Sequence, residues 1–383
     1  MRYASANTPY RYFSSAVMAK ILTFLGKGGC GSTTMAIATA KQLAGSGQRV
    51  LLMIQDVTPG PAILLGQDLS AAPTAIGANL WAVQMHSAAQ LEASWQTLKE
   101  LESQYLRTPF LKDVYGQELG VLPGMDQALA LNALREYDAS GNYDAIIYDG
   151  TGGMGTLRMF GLPEILDWYV RRFRGVLQQS DLWRALSPFI QPVSAAVMAT
   201  DWSGDILDRP TGEMRSMLEQ GRDAVSDPNR TLAFLVTTPA ADAVATARYF
   251  WGSAQQIGLT VGGVLVNHGD LGSDHEGAFA PLPHFAIPSQ HNHGWDAVVA
   301  AIPDIGQIAA QANPATVVDL PSKTVKLFLP SFNKTQVKLT QYGPEVTVEA
   351  GDQRRNLMLP PGLAGKSVAG AKFQDQYLVL TFG

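Results

Sequence analysis

Residues Gly26-Lys27-Gly28-Gly29-Cys30-Gly31-Ser32-Thr33-Thr34, directly after the apolar run Ile21-Leu22-Thr23-Phe24-Leu25, decide how this chain folds. The stretch has the frame of a phosphate-binding loop, G-x-x-x-x-G-K-[ST], with Ser32 where the lysine belongs. Its glycines let backbone N–H groups curl around an anion, and the following helix points its positive end at the same place. Working outward, Lys20 to Leu25 reads as a strand and Thr33 to Ala44 as a helix whose small residues face a sheet. Gly45-Ser46-Gly47 ends that helix, and Arg49 to Ile54 is a second buried strand. Strand, loop, helix and strand with unbroken apolar strands begin a parallel sheet covered on both faces. Asn79 to Gln84, Tyr143 to Tyr148, Thr231 to Thr237, Gly262 to Asn267 and Phe285 to Pro288 extend it.

Two helical stretches interrupt the strands. Ser87 to Tyr115 spaces Leu91, Trp95, Leu98, Leu101 and Tyr105 as a helix does, and Gly161 to Gly221 is long, apolar and broken by Pro188, Pro192 and Pro210. Both read as additions to the sheet domain, a helical insert over about 87–118 and 160–225. Around Pro314 to Pro321 the pattern changes. Val325-Lys326-Leu327, Val337-Lys338-Leu339, Val346-Thr347-Val348 and Tyr377 to Phe382 alternate with period two between turn signals, so 322–383 form a small all-β sandwich. The fold class is therefore α/β, a doubly wound, mostly parallel sheet with a helical insert and a C-terminal sandwich.

Composition bounds the function. The 383 residues suffice for two domains, and a net charge of −5 argues against a nucleic-acid surface. Cys30 is the only cysteine, which excludes a disulfide framework or a cysteine-rich zinc site within one chain and suits a reducing, cytoplasmic setting. No apolar run approaches the roughly 20 residues of a membrane span. Residues 1–17 read as a flexible extension, with Met18 a natural start. Five of the six histidines fall between His268 and His293, in a Gly/Asp/Pro-rich loop where solvent contact is the ordinary reading. Arg171-Arg172-Phe173-Arg174 reads as a solvated helix face.

Phosphoryl transfer with magnesium needs a hydroxyl on the metal, carboxylates for the metal or its waters, and a group that positions the attacking water. Thr33 supplies the hydroxyl. Asp56 follows the second strand and Asp149 the Tyr143–Tyr148 strand, so both belong at the carboxyl edge of the sheet beside the loop. Each carboxylate alone is as readily a helix cap. Together with the loop they make a nucleotide bound with Mg²⁺ the expected ligand, and the family resemblance that follows implies ATP.

Lys27, second in Gly-Lys-Gly-Gly, resembles the mark of the deviant phosphate-loop ATPases. Asp149-Gly150-Thr151-Gly152-Gly153-Met154-Gly155-Thr156-Leu157-Arg158, followed by Leu162-Pro163, resembles the second switch of the ArsA-type ATPases, which include arsenite-pump subunits and targeting factors for tail-anchored membrane proteins. Pro123-Gly124-Met125-Asp126 is similar to another motif of that family, and Val264-Leu265-Val266-Asn267 to its adenine-reading strand end. The likeness spans roughly residues 20–310. It implies a homodimer in which Lys27 reaches the partner's phosphates, Thr33 binds Mg²⁺, Asp56 orients water, Asp149 holds the metal's waters and Asn267 meets adenine. Gly26 to Thr34 would cradle the nucleotide.

Two departures stand out: Ser32 for the in-cis lysine, and Asp56-Val57-Thr58-Pro59-Gly60 for the usual first switch. The family's zinc-clamping Cys-x-x-Cys and arsenite cysteines are absent, which makes a metalloid pump the least favoured reading. Gln353-Arg354-Arg355-Asn356-Leu357-Met358-Leu359-Pro360 resembles an α-crystallin domain, where an arginine-bearing strand runs into a Leu-Pro turn. ArsA-type ATPases with such a tail resemble the variant of the targeting family found in photosynthetic lineages. The implied function is a slow or regulatory ATPase that chaperones or targets hydrophobic clients through an apolar groove. Leu177 to Met198 would line that groove, although on composition alone the stretch is equally a helix core. The rival readings are a catalytically inactive nucleotide sensor and a holdase acting through the β-domain.

Overall fold

The computed structural model describes residues 18–105, 121, 124–179 and 210–383. An eight-stranded sheet lies at its centre. Its strands are β1 (Lys20–Gly26), β2 (Val50–Ile54), β3 (Thr74–Gly77), β4 (Leu80–Gln84), β5 (Ala145–Asp149), β6 (Thr231–Thr237), β7 (Val261–Asn267) and β8 (His284–Ile287). They run in the order β3-β4-β2-β5-β1-β6-β7-β8, all parallel except β3, which pairs antiparallel with β4. The chain leaves β1 towards β2 and β4, returns to β5, and continues on the other side through β6. β1 is thus the point at which the winding reverses, where α/β sheets place their ligands.

The strands are apolar on both faces because helices cover both. Successive residues point to opposite sides. Ile21, Leu25, Leu51 and Met53 enter one core with Tyr148, Phe160 and Trp251, whereas Leu22, Phe24, Leu52 and Ile54 enter the other with Met35, Ile37 and Val298. The helices are α1 (Ser32–Gly45), α2 (Gly60–Leu65), α3 (Ser87–Tyr105), α4 (Met125–Ala139), α5 (Gly153–Gln179), α6 (Pro210–Ser226), α7 (Ala241–Gln256), α8 (Gln290–Ala301) and α9 (Ile305–Gln311).

The helical stretches differ from the sequence reading in one respect. α5 begins at Gly153, eight residues before the expected start, and its first turns carry Leu157, Met159 and Phe160 into the sheet core. It is therefore part of the α/β layer before it is part of any insert. The glycines of 150–155 hid this start, since they read as loop. Pro163 sits inside α5, where it removes one ladder hydrogen bond. α3 covers Ser87–Tyr105 of the first stretch, while 106–118 and the groove-lining residues 180–198 lie outside the described residues, as do residues 1–17.

The C-terminal unit packs a four-stranded sheet, β14-β15-β10-β9, against a three-stranded one, β11-β12-β13. Their ranges are β9 (Thr316–Asp319), β10 (Thr324–Phe328), β11 (Val337–Tyr342), β12 (Glu345–Ala350), β13 (Gln353–Met358), β14 (Val368–Gln374) and β15 (Tyr377–Phe382). Val325, Leu327, Val346, Val348, Leu378 and Leu380 meet between them, the alternation read from sequence. β9 pairs with β10, so this sheet takes up chain from Thr316, six residues before the expected start at 322.

The sandwich docks on α5 and α7. A side chain at Gly252 would sit 2.4 Å from the Pro330 carbonyl oxygen and 2.6 Å from the Phe332 ring, so only glycine allows that approach. Gln256 Nε2 donates to the Val348 carbonyl at 2.6 Å, and Trp251 packs edge-on against Phe328.

Candidate nucleotide site

The glycine loop leaves β1 and enters α1 through two left-handed residues, Gly29 (φ 86°) and Gly31 (φ 96°). Gly31 needs both its freedom and its bareness, because a Cβ there would lie 2.3 Å from Asn267 Nδ2. That amide donates to the Cys30 carbonyl at 3.0 Å, while Asn267 Oδ1 accepts from the His268 backbone N–H at 3.0 Å. β7 thus braces the back of the loop. A Cβ added at Gly28 would meet nothing within 4 Å among the described residues. Gly31→Ala is accordingly expected to weaken ATP binding and lower the Tm by about 2–4 °C, from the cost of the left-handed backbone alone. Gly28→Ala leaves the Tm in place. Calorimetry with and without nucleotide checks both.

Ser32 Oγ folds back on the strand, 2.9 Å from where a Gly26 Cβ would be. The position that ordinarily carries a lysine to the phosphates thus carries a short, uncharged hydroxyl. Lys27 is exposed and pairs with Asp242, its Nζ 2.5 Å from Asp242 Oδ2. The hydrogen bond to Asp242 raises the Lys27 pKa and lowers that of Asp242. With both side chains largely in water this pair is weak, so Lys27 is free to exchange partners. Cys30 is buried, and desolvation pushes its thiol pKa up despite the nearby Lys27, which suits a packing residue better than a nucleophile.

Asp149, the last residue of β5, is 3% exposed. Burial pushes its carboxyl up to about 7; the Thr33 hydroxyl, donating to it, pulls it down and the charge of Asp56 raises it further. Thr33, Asp149 and Asp56 therefore form one electrostatic cluster beside the glycine loop. Asp56 Oδ1 accepts from the Thr58 N–H at 2.9 Å and Oδ2 from the Thr58 hydroxyl at 3.0 Å, a local turn that fixes its carboxylate. Gln84, ending β4, donates to the Asp56 carbonyl at 2.8 Å.

An oxygen-only set of one hydroxyl and a water-reaching carboxylate suits Mg²⁺, which commonly takes few protein ligands and completes its shell with waters and phosphate oxygens. Among the described residues no group of three or more His, Cys, Asp or Glu could hold a metal by itself.

Two residues of this site escaped the sequence reading. Gln55 is buried, and its Oε1 accepts from the Tyr148 hydroxyl at 2.7 Å and from the Thr151 N–H and hydroxyl at 3.3 Å each. It ties the segment after β2 to the one after β5. Its place just before Asp56 was the only signal. Asp242, the partner of Lys27, lies in the first turn of α7, and nothing in its local sequence marks it. Gly124 (φ 90°) opens α4 and puts Asp126 in its first turn; burial raises the Tyr148 pKa, and the charges of Asp149 and then Asp126 add to that.

A glycine loop at the winding reversal of a mostly parallel sheet, with acidic strand ends on its flank, defines a P-loop NTPase fold. The model of the anion-transporting ATPase family matches residues 19–277, and that of the HSP20-like domain found in ArsA matches residues 322–382. The chain belongs to the ArsA ATPase family. It is similar to a putative arsenical pump-driving ATPase of Prosthecochloris vibrioformis, 25% identical over 95% of this chain and 96% of that protein. A putative arsenical pump-driving ATPase of Chlorobaculum tepidum gives the same identity over the same shares. An ATPase ASNA1 homolog of Cryptosporidium parvum is 26% identical over 56% of this chain and 55% of its own. No described helix is long and apolar enough to cross a membrane.

Proposed function

We propose that this chain is a cytoplasmic, homodimeric ATPase that uses ATP and Mg²⁺ to control the shielding or targeting of hydrophobic clients, tail-anchored membrane proteins among them. The contact of Thr33 with buried Asp149, beside the glycine loop and within reach of the Asp56 charge, carries this reading. The loop's backbone N–H groups hold the phosphates. Thr33 and Asp149 hold the metal and its waters, and Asp56 orients the attacking water. The remaining hydrogen of the Asn267 amide meets adenine. Lys27 leaves Asp242 and crosses to the partner's phosphates.

Client binding buries apolar surface, and nucleotide governs it only through different affinities of the two states for the client. The likeness to ASNA1 homologs supports the targeting branch of the family. The two relatives named as arsenical pump-driving ATPases support an anion-coupled reading, which stimulation of turnover by arsenite would establish instead. Mass and nucleotide content of the purified chain test the core of the proposal. A dimer carrying ATP or ADP is expected; a nucleotide-free monomer that gains neither on incubation with ATP overturns it.

Ser32 makes hydrolysis slow, because the missing lysine neutralises charge that develops on the phosphoryl oxygens. Ser32→Lys is expected to raise the single-turnover rate at least about tenfold, from one charge-assisted contact. An unchanged rate, with Asp56→Asn no slower than the parent, would favour the inactive nucleotide sensor.

A further inference from the structure

Gln84 ends β4, and the strand end is complete without its side chain. The Gln84 N–H donates to the Ser70 carbonyl at 2.8 Å, and the Met85 N–H to the Ile54 carbonyl at 2.8 Å. The carboxamide crosses instead to the chain that leaves β2. Ile54 is the register partner of Gln84, so Asp56 follows just past the paired positions. Gln84 Nε2 donates to the Asp56 carbonyl at 2.8 Å and to the Thr58 carbonyl at 3.3 Å. Among the described residues no backbone N–H reaches either carbonyl.

Both amide hydrogens are thereby spent on one turn, Asp56 to Thr58. The amide oxygen is held from behind, with His86 Nε2 3.2 Å from Gln84 Oε1. A protonated Nε2 donates to that oxygen, which fixes which end of the carboxamide faces the turn. Gln84 is 7% exposed, so this amide is a buried group with its donors and its acceptor all engaged. His86 directly precedes α3, and the tether therefore runs from the start of that helix through Gln84 to Asp56.

The turn carries the Asp56 carboxylate, whose two oxygens accept from the Thr58 N–H and hydroxyl. An ionised carboxylate offers about four acceptor positions, so about two remain for a water. Val57, between the two tethered carbonyls, is 54% exposed, and the turn has little apolar packing of its own to hold it. A group that orders a reacting water must keep its place to within about 0.5 Å, and an exposed turn does so only when tied to a rigid element. We propose that Gln84 is a positioning residue for ATP hydrolysis, its carboxamide holding the Asp56 turn where the carboxylate can order the attacking water. The inference rests on the water-orienting role proposed for Asp56. The tether comes from β4 and not from residues 57–60, where the sequence departs from the usual first switch.

The test compares two ligands of the full chain by calorimetry with Mg²⁺: ADP alone, and ADP with aluminium fluoride, which mimics the transferring phosphoryl group and its ordered water. Gln84→Met keeps the length of the side chain and removes the amide. It is expected to weaken the fluoride complex and to slow single-turnover hydrolysis at least about tenfold, with ADP affinity held within about twofold. In an Asp56→Asn background the same substitution adds less than about twofold to either loss, because Gln84 acts through Asp56. Hydrogen exchange across Val57 and Thr58, measured without nucleotide, rises in Gln84→Met. His86→Phe, which leaves the carboxamide able to turn over, moves the same quantities several-fold in the same direction and serves where Gln84→Met fails to fold. An undiminished fluoride complex in Gln84→Met, an equal loss of ADP affinity, or the full loss repeated in the Asp56→Asn background would each overturn the proposal. If Asp56→Asn itself binds the mimic as tightly as the parent, the role of Asp56 falls and this inference with it; if Asp56→Asn loses the mimic and Gln84→Met does not, only this inference falls.

Discussion

Asp149→Asn is expected to remove at least about 99% of magnesium-dependent ATP turnover and to erase the tightening of ATP binding by Mg²⁺, leaving binding in EDTA nearly intact. The side chain is buried at the end of β5, and burial raises its carboxyl to about 7, so part of it is protonated at neutral pH. A divalent cation reverses that balance, since its field favours the charged form. Asparagine keeps the shape and a hydrogen-bond acceptor for the Thr33 hydroxyl, but carries no charge to hold the metal's waters. The fold should therefore persist while the metal response is lost. Measuring ATP affinity with and without Mg²⁺ keeps the test informative even if turnover in the parent is slow. A variant that retains the full Mg²⁺ effect would remove Asp149 from the metal site.

The strand-loop-helix start was legible because each piece has a short-range signature. Unbroken apolar runs mark strands buried on both faces, and glycines mark a loop that needs left-handed backbone at Gly29 and Gly31. The carboxylates at 56 and 149 were found because strand ends in such sheets converge on one edge. Gln55, Asp242 and the bracing role of Asn267 depend on which strands and helices become neighbours, which local pattern does not encode. α5 was placed late because Gly150 to Gly155 look like loop, whereas tertiary burial of Leu157, Met159 and Phe160 sustains the helix.

Glu164→Leu is expected to destabilise the docking of the β-sandwich by about 3–5 kcal/mol, the cost of stranding a buried charge. Glu164 lies on α5 and Arg355 on β13, with Nε and Oε2 3.7 Å apart and both side chains mostly buried. Burial pushes the Glu164 pKa up and the Arg355 pKa down, and each charge opposes the other's shift. Glu164 Oε1 also accepts from the Asn356 N–H at 3.1 Å, so the same residue caps the edge of β13. Among the described residues, Arg355 otherwise keeps the Thr316 hydroxyl, which its Nη1 reaches at 2.8 Å. Leucine at 164 leaves the guanidinium without its counter-charge and the strand edge without its acceptor.

Glu164→Leu with Arg355→Met removes both charges, and most of the loss should return because a buried pair contributes little beyond its own desolvation. Hydrogen exchange across β13 and α5 reads the docking directly. Fast exchange in the single variant and slow exchange in the double one is the expected pattern; a single variant within about 1 kcal/mol of the parent contradicts it. α5 starts four residues after Asp149, and its Arg158 Nη2 meets Asp352 of the sandwich at 3.2 Å. The helix that begins at the proposed metal site is thus held by the β-sandwich at both these places, and again where Arg171 Nη1 reaches Glu345 Oε2 at 3.4 Å and the Arg172 guanidinium lies over the Tyr342 ring. Any nucleotide-driven shift of α5 must move the sandwich or break those contacts. Faster exchange at β13 on adding ATP to the parent chain is the signature of the second course.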